Sequence, residues 1–372
     1  MKKILIVFGT RPEAVKMCPL IMELQSRREL SIKVCVTGQH REMLEQVLRV
    51  FGVNPDYDLK IMKRGQSLFD ITISIMDRIK PILEKEKPDV VLVHGDTTTT
   101  YVVALACFYL NIPVGHVEAG LRTYNLYNPF PEEFNRQSVG MISTYHFAPT
   151  VRAAQNLINE GKDPSTVYIT GNTVIDAMRT TVSMEFKHPE LEWAGDSRWI
   201  FLTAHRRENL GQPLRNIYRA LRRILSDFPD YKAIYPIHMN PKIRAIAAEE
   251  FQGCENIHII DPVDVVTCHN FEARCYICMT DSGGIQEECP TYGKPVFVLR
   301  NTSERPEGIE AGTSLLVGTD EEKIYSNIKR LLENKEEYKK MAFSNNPYGD
   351  GKASERIADI LTDGIYKPFQ II

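Results

Sequence analysis

No apolar run in this 372-residue chain approaches the ~18 residues that a membrane-crossing helix needs. Nor is there an excess of charge of either sign. Lys and Arg number 45 against 48 Asp and Glu, a formal −3, which gives no reason to expect nucleic acid or an anionic membrane as partner. The eight cysteines are scattered through mostly apolar runs, the pattern of reduced core residues in a cytosolic protein. Cys275 and Cys278 form a C-x-x-C, but on a strand positions i and i+3 face opposite sides, which argues against a metal or redox pair. H-E-x-x-H, G-x-x-x-x-G-K-[ST] and G-x-G-x-x-G after a strand are all missing. Zinc hydrolysis, a P-loop and NAD are therefore not indicated. The basic-then-apolar start, Met1 to Phe8, is too short in its apolar part for a signal peptide and reads as a first strand.

What the chain does have is Thr280-Asp281-Ser282-Gly283-Gly284-Ile285-Gln286-Glu287-Glu288, behind the apolar run Cys275–Met279. A buried strand, two glycines and a helix start bring backbone N–H groups to the positive end of a helix, where phosphate binds. Strand signals alternate with helical stretches on both sides of this motif. Alternation of that kind means parallel strands covered by helices on both faces. The polar stretch from Lys187 to Ser197 lacks periodicity and reads as a loop opening a second domain. At this length roughly two domains are expected. The reading is α/β, with two Rossmann-like domains facing across a cleft. Residues 1–171 with 352–372 would form the first and 172–351 the second. Ligands in open α/β sheets bind beyond the carboxyl ends of the strands, so both sets of strand ends should face that cleft.

The polar residues of interest stand just past those strand ends. Arg11 and Lys16 follow the first strand, as solvated cations or as a pair for one anion. Asp96, after His94-Gly95, is a helix cap or an acid/base group. Glu118 ends an apolar strand, where a carboxylate has little structural reason to be. His94 and His116 read as core histidines. Pro131-Glu132-Glu133 reads as helix-start chemistry, Pro at N1 with acids in the first turn. His205-Arg206-Arg207 at a strand end suits phosphate. Cations with a helix N-terminus fit a diphosphate, and several carboxylates fit proton transfer on the attached group. A nucleotide diphosphate sugar meets both conditions.

These residues resemble the non-hydrolysing UDP-N-acetylglucosamine (UDP-GlcNAc) 2-epimerases nearly end to end. The matching segments run from Gly9-Thr10-Arg11-Pro12-Glu13 through His94-Gly95-Asp96-Thr97-Thr98 and His116-Val117-Glu118-Ala119-Gly120-Leu121-Arg122 to Pro131-Glu132-Glu133. They continue with Gly171-Asn172-Thr173, His205-Arg206-Arg207-Glu208-Asn209, the Gly-Gly motif, Glu304-Arg305-Pro306-Glu307 and Asn346-Pro347-Tyr348-Gly349-Asp350-Gly351. The resemblance implies a GT-B-like fold whose last helix crosses back to the first domain. It also implies a cytoplasmic homodimer that interconverts UDP-GlcNAc and UDP-ManNAc without metal or nicotinamide cofactor. UDP would be eliminated to give 2-acetamidoglucal and then re-added, supplying precursors for surface polysaccharide. Acid/base work would fall to Asp96, Glu118 and Glu132, with Lys16 and His205 beside the departing phosphate. Arg11, Ser282, Gly283, Gly284, Glu288 and Arg305 match nucleotide and diphosphate contacts. Cys268 stands where relatives place an aromatic residue near the uracil. Gln39, Arg206 and His238 match a site for a second UDP-GlcNAc as activator, whereas Glu42 and Gly65 depart from it. A GT-B glycosyltransferase and a non-catalytic UDP-sugar binder are the competing readings; the three carboxylates favour the epimerase.

Overall fold

The structure is a computed structural model describing residues 1–38, 41–63 and 65–370, without the side chains of residues 41–43. The chain divides into two compact units, residues 1–180 with 348–370, and residues 181–347.

The first unit opens with β1 (Lys2–Phe8), α1 (Arg11–Ser26), β2 (Leu30–Val36), α2 (Arg41–Val50), β3 (Tyr57–Asp58) and α3 (Leu68–Glu86). It continues with β4 (Val90–His94), α4 (Thr98–Tyr109), β5 (Val114–Val117), α5 (Glu132–Ile142), β6 (Tyr145–Ala148), α6 (Val151–Asn159), β7 (Val167–Ile169) and α7 (Thr173–Thr181). The strands form one parallel sheet in the order β3-β2-β1-β4-β5-β6-β7. Both faces are covered, so every residue from Ile4 to Phe8 is buried and β1 reads as a continuous apolar run. On one face Leu5, Val7, Val91 and Val93 pack with Ile71, Ile75 and Ile79 of α3 and with Val102 and Val103 of α4.

The second unit holds α8 (Pro189–Ala194), β8 (Arg198–Thr203), α9 (Gln212–Asp227), β9 (Tyr231–Pro236), α10 (Pro241–Glu250), β10 (Ile257–Ile260) and α11 (Val265–Arg274). Then come β11 (Ile277–Thr280), α12 (Gly283–Glu288), β12 (Val296–Val298), α13 (Pro306–Glu310), β13 (Ser314–Leu316), α14 (Glu321–Glu333) and α15 (Lys335–Ala342). Its parallel sheet runs β10-β9-β8-β11-β12-β13. The final helix, α16 (Ala353–Thr362), belongs to the first unit. There Lys2 donates to Leu361 O at 3.0 Å and Arg27 pairs with Asp359 at 2.9 Å. The return is stitched at its start, where Asp176 accepts from the backbone N–H groups of Ala353 and Ser354.

Some local readings need correction. The stretch from Lys187 to Ser197, read as a loop, contains α8. His188 caps it through Nδ1, and Trp193 anchors it by stacking on His258 with ring centroids 3.6 Å apart. Cys275 is not on a strand but caps α11, because β11 starts only at Ile277. Cys275 and Cys278 therefore share one apolar cluster with Cys289, and burial pushes all three thiols up. Pro131, read as the first helical residue, caps α5 rather than opening it. Among the described residues, no helix is long and apolar enough to cross a membrane.

Candidate functional site

In the first unit the reactive side chains gather at the carboxyl ends of β1, β4 and β5. The turn after β1 works only with glycine, because a Cβ on Gly9 would lie 2.2 Å from Thr37 Oγ1 and 2.8 Å from Thr99 Oγ1. Buried Glu13 then bonds back to Gly9 N and Thr10 N and accepts from Thr97 Oγ1 at 3.0 Å. One carboxyl thus ties the starts of α1 and α4 together. Lys16, one turn further on, forms an ion pair with Glu118 Oε2.

Glu118 follows β5 in left-handed backbone, φ +63°, a strained conformation for a non-glycine residue that clusters at functional sites. Asn172 donates to the same Oε2 at 2.8 Å, and His94 Nε2 stands 3.9 Å from it. Asp96 pairs with Arg136 of α5, while Asn135 holds the Asp96 carbonyl at 2.9 Å. Burial raises Asp96 above the usual carboxylate range. Arg136 opposes the rise, and the charges of Glu118 and Glu132 add to it. Asp96 therefore feels the charges of both Glu118 and Glu132, as a carboxylate sharing proton work with others must.

In the second unit the organising group is Asp281, fully buried directly after β11. Its Oδ2 accepts from His205 N at 2.9 Å, Arg206 N at 2.8 Å and Asn209 Nδ2 at 2.9 Å. Its Oδ1 lies 3.6 Å from His205 Nδ1. Desolvation lowers the His205 pKa and Asp281 opposes that shift. The ring of His238, exposed after β9, lies parallel to that of His205 at 5.8 Å. Arg206 donates through Nε to Asp281 O at 3.2 Å.

Ser282, Gly283 and Gly284 open α12, and Thr280 Oγ1 accepts from Ser282 N at 2.9 Å. Beyond them, Glu288 lies 3.9 Å from His269 and beside buried Glu272, whose pKa burial and the Glu288 charge push well up. The Cys268 thiol donates to Glu272 at 3.1 Å, which brings Cys268 and Glu288 to one cluster. Arg305 is tied to Glu287. Arg11 is exposed and enters no ion pair found among the described residues. Gln39 lies outside the described residues, as does the side chain of Glu42.

The profile of the family described as UDP-N-acetylglucosamine 2-epimerase matches residues 22–362. The chain belongs to this family. A UDP-N-acetylglucosamine 2-epimerase from Bacillus subtilis is 54% identical over 359 residues, 96% of this chain and 94% of that one. S. aureus MnaA, solved with UDP, shares 48% identity with a TM-score of 0.89 and covers 99% of each chain. The UDP-GlcNAc 2-epimerase of Neisseria meningitidis, solved with UDP-GlcNAc bound, shares 46% identity with a TM-score of 0.87. That match covers 96% of this chain and 99% of the other. The fold is GT-B-like, as the sequence reading expected.

Four residues that hold the candidate side chains were not singled out from the sequence: Glu13, Arg136 and Asn172 in the first unit, and Asp281 in the second. Glu13 had a legible signal, since Thr10-x-x-Glu13 is a capping box. Asp281 directly follows an apolar strand, the same signal that pointed to Glu118. Asn172 stood in the matching segment Gly171-Asn172-Thr173 without a stated role, and Arg136 is brought in by tertiary folding alone. Among the described residues, no three His, Cys, Asp or Glu side chains converge as a metal site would require.

Proposed function

We propose that this protein interconverts UDP-GlcNAc and UDP-ManNAc at C2. The observation that supports it best is the Glu118 carboxylate, held past a strand end by Lys16 and Asn172 and acting, as Glu132 does, on buried Asp96. A transferase needs no such set of carboxylates around its donor sugar. In this reading one carboxylate takes the C2 proton as the C1–O bond to UDP breaks, leaving 2-acetamidoglucal. UDP then re-adds at C1 while a carboxylic acid on the other face returns a proton to C2. Lys16 and His205 meet the negative charge growing on the departing phosphate. Ser282, Gly283, Gly284 and Arg305 hold the diphosphate, with Arg11 beside it. Glu288 takes the ribose hydroxyls, next to Cys268.

A second UDP-GlcNAc, held by Gln39, Arg206 and His238, is our proposal for regulation, in a cytoplasmic homodimer that supplies ManNAc-type precursors for surface polysaccharide. Arg206 bonds to the Asp281 carbonyl and His238 lies against His205, which suits a ligand beside the His205 strand end. The activity is tested by incubation with UDP-GlcNAc in D2O. Deuterium should enter at C2 of both epimers with UDP retained; stoichiometric release of free UDP would point to a hydrolase or transferase.

A further inference from the structure

His94 closes β4 only 4% exposed, and neither of its ring nitrogens has a hydrogen-bond partner among the described residues. Orphaned buried polar atoms are rare in native proteins and call for an explanation. His116 on the neighbouring strand differs, since its Nε2 meets Gly95 O at 2.7 Å. The Nε2 of His94 instead faces Glu118 Oε2 at 3.9 Å, too long for a hydrogen bond. That oxygen is already taken by Lys16 and Asn172. His94 is thus a third partner held in reserve.

The titratable or charged groups facing His94 are Glu118, Lys16 and His116. Burial holds the imidazole neutral, pushing it down to about 4. The Lys16 charge works in the same direction and Glu118 opposes it. A neutral imidazole offers one nitrogen as an acceptor. Ionised Glu118 has no proton to give it, but protonated Glu118 has one.

We propose that His94 is a positioning residue for Glu118, accepting a hydrogen bond from its carboxyl O–H through Nε2 once Lys16 is drawn to the substrate's diphosphate. The inference rests on the epimerase reading above, in which Glu118 carries a proton during turnover. Glu118 holds its proton while 2-acetamidoglucal and UDP are bound, C2 being reprotonated from the other face by a different carboxylic acid, and the imidazole gains no net charge. His94 then fixes the carboxyl group at the moment its ammonium partner is lost.

The test compares His94→Met, which fills the space with only a weak thioether acceptor, with His94→Gln, which restores a strong one. Deuterium entry at C2 of UDP-GlcNAc is followed by NMR and UDP affinity by calorimetry. His94→Met should lower kcat about 10²-fold with UDP affinity held within about twofold, and His94→Gln should recover most of the loss. Wild-type turnover in His94→Met overturns the proposal, as does a Gln variant no better than Met. Should the Met variant fail to fold, the 15N ring resonances of His94 in the wild-type protein decide. They should move when UDP-GlcNAc is added; unmoved resonances in a protein that turns over overturn the proposal. A folded wild-type protein that binds UDP but exchanges no C2 proton would overturn the epimerase reading itself.

Discussion

The ammonium of Lys16, on the first helix, is paired with the carboxylate of Glu118, the residue that leaves β5 in left-handed backbone. Both side chains are largely buried, 14% and 9% exposed. Removing one partner of a buried pair leaves an uncompensated charge and typically costs about 3–5 kcal/mol. The two residues should therefore respond oppositely to neutralisation. Glu118→Gln keeps an acceptor for Asn172 and releases Lys16, so turnover should fall at least ~10²-fold while UDP binds as tightly as before or more so. Lys16→Met strands the carboxylate, so UDP affinity and melting temperature should both fall. Calorimetry and thermal unfolding check this; UDP affinity lost in Glu118→Gln but kept in Lys16→Met would reverse the assignment.

Arg136 carries a pH prediction. Its guanidinium favours the ionised form of Asp96 and so opposes the upward push of burial, Glu118 and Glu132. Arg136→Met removes the largest lowering influence on this group. The Asp96 pKa should rise further, and the limb of the kcat profile that belongs to Asp96 should move to higher pH. A limb that stays in place, or moves to lower pH, would detach Asp96 from the rate.

Most of the strand ladder was legible because apolar runs of Val, Ile and Leu in parallel sheets announce themselves: the apolar start up to Phe8, read as a first strand, is β1. Legibility failed where tertiary contacts override composition. The segment of α8 is polar and short, and its helix depends on a histidine cap and a Trp193–His258 stack 65 residues apart in sequence. The candidate site was legible as strand-end polar residues. What the sequence could not give is how those residues are held. Asp281 serves His205, Arg206 and Asn209 from more than 70 positions away, and Asn172 reaches Glu118 across 54.

Gly284 is the sharpest probe of the diphosphate cradle. Its backbone is not in the left-handed region, and the nearest atom a Cβ there would meet is the flexible end of Glu288 at 3.2 Å. Gly284→Val should therefore fold normally, yet place a branched side chain where phosphate would approach the first turn of α12. UDP affinity should fall by about tenfold or more, while the melting temperature without ligand stays close to wild type. A folded variant with unchanged UDP affinity would move the phosphate site elsewhere.

The activator proposal makes a kinetic prediction. A ligand can shift activity only through differential affinity for the more active state. Highly purified UDP-ManNAc should then react slowly until a trace of UDP-GlcNAc is present. Arg206→Ala should blunt that response more than it weakens UDP binding. Full-rate conversion of purified UDP-ManNAc from the first turnover would remove the second ligand from the account and leave C2 epimerisation untouched.

The central claim is that three coupled carboxylates move a proton at C2, and one NMR experiment addresses it directly. The wild-type protein, incubated with UDP-GlcNAc in D2O, should give a mixture of UDP-GlcNAc and UDP-ManNAc, each deuterated at C2, with most of the UDP still attached. Glu118→Gln should form that mixture at least ~10²-fold more slowly. Epimerisation without deuterium at C2, or a Glu118→Gln protein that deuterates C2 at the wild-type rate, would contradict the account.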